Sequence, residues 1–454
     1  MTTLIKNARA IVTVDDADRV LWNANILVDG CEIKYIGTEN MKADRVIDAS
    51  GCFVYPGLIN THHHLYQTFT RNLPVVQRME LFLWLVTLYE IWRGLNDDCI
   101  YYSSLVGMGE LLKYGCTTCF DHHYVFPREG SENFIDQQFR AAQDLGIRFH
   151  ASRGSMSRGK SDGGLPPDDL VQDVDTILKD SERLVKRYHD SSRFSMTQMV
   201  LAPCSPFSVT AELLKDSAAL ARQLGVRRHT HLCETLDEEE YCLRQVGMRP
   251  LEYMELCDWT GSDVWFAHGI HFNDDELRFL AETKTGVAHC PVSNMKLASG
   301  VCRIPDMLRL GVPVGLAVDG SASNDGSNLM AEIRAAYLMH RLKWSENAPT
   351  GYDLLKLATR GSAALLGRDD IGSLEPGKAA DLFMIDASLL ELAGAGNDPA
   401  CLLGTVGYCR PAKLVMANGR IVSEDGHLTA IDEPLVREKA ESLSQEMLRK
   451  AGQA

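Results

Sequence analysis

From about Gly57 to Leu366, short apolar runs alternate with longer stretches of helical periodicity. That alternation constrains the fold more than any other feature. A strand, a helix and a second strand in succession imply a parallel pair with a crossover helix. Eight strands are expected: Phe53–His62, Thr117–His122, Ile147–Ala151, Gln198–Ala202, Arg227–Leu232, Val264–His268, Gly286–His289 and Val314–Asp319. Helical stretches such as Ala211–Leu224 and Asp274–Glu282 stand between them. Eight such units predict an α/β chain built on a closed (β/α)8 TIM barrel, which needs roughly 250 residues.

The chain has 454 residues, so the barrel leaves material at both ends. Ile26–Val28, Ile33–Ile36 and Val46–Ile47 read as short strands, with Asp29-Gly30 as a hairpin signal. After Leu366, strands return at Ala380–Ile385 and Lys413–Ala417, and at Arg420–Val422 across Asn418-Gly419, a strong hairpin signal. The simplest packing joins both ends into one small β-sandwich domain, residues 1–56 with 367–430, flanking a barrel of residues 57–366. The final segment, 431–454, carries an amphipathic helix over Pro434–Ala451.

Charge narrows the partners. With 46 Lys+Arg against 61 Asp+Glu the net charge is -15, which argues against a nucleic-acid polymer. A single nucleobase carries no phosphate and is not excluded. The most apolar stretch, Leu81–Trp92, is broken by Thr87 and Glu90 and is too short to span a membrane, so it reads as a buried helix. Met1–Val20 lacks a basic start followed by an apolar core. The 13 cysteines are odd in number and irregularly spaced, which fits reduced thiols in a cytoplasm. Cys116 and Cys119 form a CxxC without a second pair, and read as core cysteines on a strand.

Chemistry collects at the ends of the expected strands. Asn60-Thr61-His62-His63-His64 ends the first. Alternation puts His62 and His64 on one face and His63 on the other. His231 ends the fifth strand, His268 the sixth and Asp319 the eighth. Barrel enzymes carry their sites at that rim. His62, His64, His231 and Asp319 there give three nitrogen donors, one carboxylate and room for water, the composition of a catalytic metal site. His268 stands beside it. His122 and His123 follow the second strand and lie near enough to approach. His150, His189, His229, His340 and His427 have no convergent context in the sequence, and His271 reads as exposed or supporting.

These residues resemble the signature of the amidohydrolase superfamily over nearly the whole chain. Ile47-Asp48-Ala49, Gly51 and Pro56-Gly57-Leu58-Ile59-Asn60 look like that family's entry into the barrel, and Ile371 to Asp381 like its exit. Within it the chain resembles the deaminase and chlorohydrolase branch. Glu234 lies three residues after His231, His289 sits in His289-Cys290-Pro291-Val292-Ser293-Asn294, and Ala202-Pro203-Cys204 ends the fourth strand without a lysine to bridge two metals. The resemblance implies one divalent metal per subunit, zinc, held by His62, His64, His231 and Asp319. It also implies catalytic roles for Glu234, His268 and Asp319. The cytidine-deaminase type of zinc site needs a later P-C-x-x-C, which does not occur.

The expected reaction is hydrolytic deamination. Metal-activated water attacks a ring carbon bearing an amine, and Glu234 moves its proton to the ring nitrogen. Gln67 stands where guanine deaminases carry a glutamine that reads the purine edge. Cys204 replaces their arginine and leaves room for a purine altered on its five-membered ring. Trp92 and His289 complete the expected substrate-binding set, and Trp84 is a second candidate for a stacking wall. The pattern is most similar to bacterial 8-oxoguanine deaminases, which implies conversion of 8-oxoguanine to uric acid and ammonia. Guanine, isocytosine or S-adenosylhomocysteine deamination, or hydroxy-s-triazine hydrolysis, would use the same metal set. A metal-free structural protein on the same fold would have lost ligands, and here all four stand. The expected partners are a small-molecule nucleobase and further copies of the chain, since barrels of this size often form symmetric homo-oligomers.

Overall fold

Two sheets organise residues 1–453, the part described by the computed structural model. The first strands are β1 (Thr2–Val12), β2 (Val20–Asp29), β3 (Glu32–Gly37), β4 (Arg45–Asp48) and β5 (Cys52–Pro56). The barrel strands are β6 (Leu58–Asn60), β7 (Cys116–Asp121), β8 (Arg148–Ser155), β9 (Thr197–Pro203), β10 (Arg227–Leu232), β11 (Val264–His268), β12 (Gly286–His289) and β13 (Val314–Leu316). They form an eight-stranded parallel sheet in sequence order, with helices between them. β14 (Leu382–Asp386), β15 (Leu414–Ala417), β16 (Arg420–Glu424) and β17 (His427–Leu428) return to the first five and complete a nine-stranded mixed sheet.

The expected strand Phe53–His62 is in fact two. β5 pairs with β14 in the mixed sheet, whereas β6 pairs with β7 in the barrel. The change of sheet happens at Gly57. A Cβ there would lie 2.1 Å from the Thr117 hydroxyl, so only glycine lets the chain cross that closely. Composition gives no warning, because residues 52–65 are all buried. The eighth run is also shorter as a strand than expected, ending at Leu316 rather than Asp319.

The barrel closes beyond its strand ends. Leu316 O accepts from Thr61 N (3.4 Å) and Thr61 Oγ1 (3.0 Å), and Asn60 Oδ1 accepts from Val318 N (2.9 Å). Asp319 N then donates to His62 O (3.1 Å), which ties the first and eighth strand ends together at the rim. Ile59, Phe120, Val200, Trp265 and Ala288 fill the space below with apolar side chains.

The mixed sheet curls around its own core, where Ile26, Val28 and Ile33 meet Leu382, Met384, Leu414 and Met416. At the Asn418-Gly419 hairpin both residues have positive φ (48° and 76°), as a two-residue primed turn requires. Arg148, buried on β8, joins the two sheets. It pairs with Asp381, and donates to Asn418 Oδ1 (3.2 Å) and Ser195 O (3.0 Å). The helix Leu81–Trp92 has the expected bounds and buries Leu81, Trp84, Leu85, Leu88 and Trp92 on one face. No helix among the described residues is long and apolar enough to cross a membrane.

Asp121, at the end of β7, supports the loop after the His62-His63-His64 run. Its carboxylate accepts from Leu65 N (2.7 Å) and Gln138 Nε2 (2.7 Å). Burial nevertheless pushes its pKa up to about 7. A carboxyl raised in the folded state favours folding fully below its unfolded pKa, and that contribution is lost as pH rises through the folded value. Asp121→Asn therefore gains on the parent between about pH 5 and pH 8. Gln138 Oε1 is buried without a partner, so a rotated amide can accept from the introduced NH2. Thermal unfolding across that range checks this: the variant's midpoint should rise relative to the parent by a few degrees. A constant offset would refute it.

Candidate active site

Three imidazoles meet at the rim with the same nitrogen forward. His64 Nδ1 lies 2.6 Å from His122 O, and His231 Nδ1 lies 2.6 Å from Cys204 O. A carbonyl only accepts, so each Nδ1 carries the proton and each Nε2 presents a lone pair. Those two Nε2 atoms face each other at 3.1 Å. His62 Nε2 is buried with no hydrogen-bond partner. Asp319 Oδ1 stands 3.3 Å from His62 Nε2 and 3.4 Å from His64 Nε2. Burial lowers all three histidines, His64 and His231 to about 4 and His62 well below its ordinary value, so they are neutral at pH 7. Lone pairs aimed at one point beside a carboxylate repel unless a cation sits between them. The donor set fits a divalent metal that accepts nitrogen and oxygen.

Asp319 remains ionised. Its carboxyl is held well below the usual range, against the effect of burial. Ser293 Oγ (2.5 Å) and Gly320 N (2.6 Å) donate to it. Asp319 and His268 both have positive φ, 64° and 72°. Such backbone strain persists only where surrounding contacts fix it, and it clusters at functional sites.

Glu234 and His268 border the same point. His268 Nδ1 accepts from the Asn294 amide (2.8 Å), which turns its Nε2 toward Glu234 Oε2 (3.3 Å) and Asp319 Oδ2 (4.0 Å). Burial lowers His268 to about 3. Glu234 moves the other way. Burial, then the charge of Asp319, raises its pKa well above the ordinary range. Ser299 Oγ donates to Glu234 Oε1 (3.2 Å), and the Glu238 carboxylate accepts from the backbone N–H of Cys233 and Glu234 (3.0 Å each). Two carboxyls whose proton affinities are pushed in opposite directions, side by side, are an arrangement suited to proton transfer.

These groups open onto a cavity of about 30 Å³. Gln67, Trp84, Tyr124, Cys204, Phe207 and Glu234 are part of its lining. Gly320 makes room for Gln67, because a Cβ there would lie 2.0 Å from Gln67 Oε1. Cys204 is part of the lining, and its carbonyl accepts from His231. Burial pushes its thiol up to about 12, so it stays protonated.

Neither Trp92 nor His289, both expected to contact substrate, is part of that lining. On the helix Leu81–Trp92, the lining residues Leu81, Trp84 and Leu85 share one end of a stripe. Trp92 lies two turns further on, behind Trp84 and against Tyr66, with ring centroids 5.6 and 5.1 Å apart. His289 packs against His340, Nε2 to Nε2 at 3.1 Å. His340 therefore has a partner that the sequence did not suggest, and so does His229, which reaches His62. His122 enters the cluster and stacks on His231, with centroids 4.8 Å apart. His62, His64, His122 and His231 can present nitrogens within 4.8 Å of one another, as can His62, His268 and Asp319 their ligand atoms. His123 instead turns to Val125 O (2.9 Å). Period-two alternation from His231 was the available signal for His229.

Comparison with known proteins agrees with this architecture. Residues 53–422 match the amidohydrolase family. An 8-oxoguanine deaminase from Pseudomonas aeruginosa is 46% identical, with 95% of each chain covered. A hydroxydechloroatrazine ethylaminohydrolase from Pseudomonas sp. (strain ADP) is 42% identical, covering 95% of this chain and 93% of the relative. The crystal structure of an atrazine chlorohydrolase from Arthrobacter aurescens TC1 complexed with zinc superposes with a TM-score of 0.94 at 34% identity, covering 97% of this chain and 100% of that one.

Proposed function

The chain belongs to the amidohydrolase family, and from that premise we propose that it converts 8-oxoguanine and water to uric acid and ammonia. The observation that carries the chemistry is the convergence of Glu234, His268 and Asp319 on the point that three neutral imidazoles face. The 46% identical 8-oxoguanine deaminase supports the substrate, as do Gln67 and the small Cys204 in the cavity wall.

His62, His64, His231 and Asp319 would hold one divalent cation, zinc, as in the zinc-complexed neighbour. Such a cation supplies the acidity that makes water nucleophilic near neutral pH. The protein's own groups do the rest. Asp319 and His268 orient the attacking water against the ring carbon that bears the amine. Glu234 takes the water's proton and gives it to the adjacent ring nitrogen, and breakage of the carbon–nitrogen bond releases ammonia. Gln67 offers a donor and an acceptor to the base edge.

A second reading, hydrolysis of a hydroxy-s-triazine, has its own support in the 42% identical ethylaminohydrolase. Guanine, isocytosine and S-adenosylhomocysteine remain the other candidate rings. Ammonia release by metal-replete protein, measured in parallel on these compounds, hydroxyatrazine and 8-oxoguanine, decides among them. We expect kcat/KM for 8-oxoguanine to exceed the others by at least about 10-fold, a discrimination one well-placed contact can supply. Preference for another ring would keep the chemistry and discard the substrate.

Cys204→Arg should cut 8-oxoguanine turnover by roughly 100-fold, because the guanidinium fills the space beside the five-membered ring. Turnover unchanged in that variant would remove Cys204 from the substrate pocket.

All 13 cysteines are free, in keeping with a reducing, cytoplasmic setting. Leu338 and Leu342, 50% and 91% exposed on one helix, offer apolar surface for the expected homo-oligomer. Light scattering on the eluting protein tests that assembly.

A further inference from the structure

Two of the three forward-facing imidazoles are oriented by backbone carbonyls, but His62 is not. Its Nδ1 lies 2.8 Å from His229 Nε2, and His229 Nδ1 lies 2.9 Å from Trp265 O. His229 is fully buried on β10, two residues before His231, so both side chains point into the barrel. Phe120 and Trp265 flank its ring, with centroids 4.9 and 4.6 Å away.

Proton placement follows from the far end. Trp265 O can only accept, so the single ring proton of His229 sits on Nδ1. Its Nε2 is then an acceptor, and His62 must donate to it from Nδ1. His62 Nε2 is left as a lone pair, which is the form a metal ligand needs. A carbonyl enforces this outcome for His64 and His231 whatever their neighbours. For His62 it depends on a side chain, and a side chain can be replaced.

We propose that His229 is a positioning residue for the metal: it fixes the tautomer and orientation of His62 without touching the cation. This rests on the metal site assigned above. The competing view is that His229 merely fills the barrel between Phe120 and Trp265.

Zinc affinity, measured by competition with a chromophoric chelator, separates the two without recourse to activity. His229→Leu keeps the bulk and removes the acceptor. Its zinc dissociation constant should rise by roughly 10- to 100-fold, the usual loss when such a partner is removed. His229→Gln can present a carbonyl oxygen near the position of Nε2, and should stay within about 5-fold of the parent. His229→Asn is too short to reach His62 but can still donate to Trp265 O. It should lose affinity as Leu does, and it carries the test if the Leu variant fails to fold.

In a His62→Ala background, His229→Leu should change affinity by less than about 2-fold, because no ligand is left to orient. Leu, Asn and Gln variants binding alike, or an undiminished effect of His229→Leu in the His62→Ala background, would overturn the proposal while leaving the metal site intact. A parent protein that takes up no zinc would instead sink the metal site, and this proposal with it.

Discussion

Glu234→Gln is expected to lower kcat by roughly 10²- to 10⁴-fold, the range that a positioned acid–base group contributes. Bound metal should stay at the parent level. The substitution is close to isosteric, and the introduced amide oxygen can still accept from Ser299 Oγ, which lies 3.2 Å from Glu234 Oε1. The backbone at 234 is held separately by Glu238. What disappears is the proton relay, since an amide neither takes the water's proton nor delivers one to the ring. The three imidazoles and Asp319 are untouched. Steady-state kinetics with metal quantified on the same sample is the measurement. Near-parent turnover would show that another group moves the proton, and His268, 3.3 Å away, would be next in line.

Withdrawing the metal is the second large effect. Dialysis against a chelator should abolish ammonia release, and added zinc should restore it. Stability should fall with activity, because removal leaves inward-facing imidazole lone pairs beside a buried carboxylate with no cation between them. A ligand at about 100 times its dissociation constant contributes about 2.7 kcal/mol to folding. The apo protein should therefore melt several degrees below the zinc-loaded one. Full activity after chelation, with no metal left by elemental analysis, would refute the assignment of His62, His64, His231 and Asp319 as ligands.

Much of the barrel was legible because its strands obey a simple rule. Val264–His268 and Gly286–His289 are apolar runs that end on histidine, and they appear, as does Arg227–Leu232, with the expected bounds. The helix Leu81–Trp92 was equally plain. His62, His64, His231 and Asp319 stood out because they lie at the ends of expected strands. What escaped detection depends on depth and direction. Gly57 marks a change of sheet, but the residues on both sides are buried, so hydrophobicity is continuous across it. Trp92 shares a helix with Trp84 yet lies too far along to reach the cavity. His289 ends a barrel strand as His268 does, but its partner His340 lies 51 positions away on the helix Leu329–Trp344. His229 was within reach of period-two reasoning, and it was passed over because its partner, His62, is 167 positions distant.

The pairing of β5 with β14 also has a consequence for how the protein is made. Phe53 and Val54 cannot meet Ile385 and Met384 until the whole barrel has left the ribosome. At roughly 5–20 residues per second, the first five strands wait on the order of tens of seconds without their partner. During that interval the nascent chain carries an unpaired apolar edge, Cys52-Phe53-Val54-Tyr55, the kind of template that recruits other chains. Yield in a heterologous host should therefore respond to chaperone supply and to slower, cooler expression more than to any change near the metal ligands.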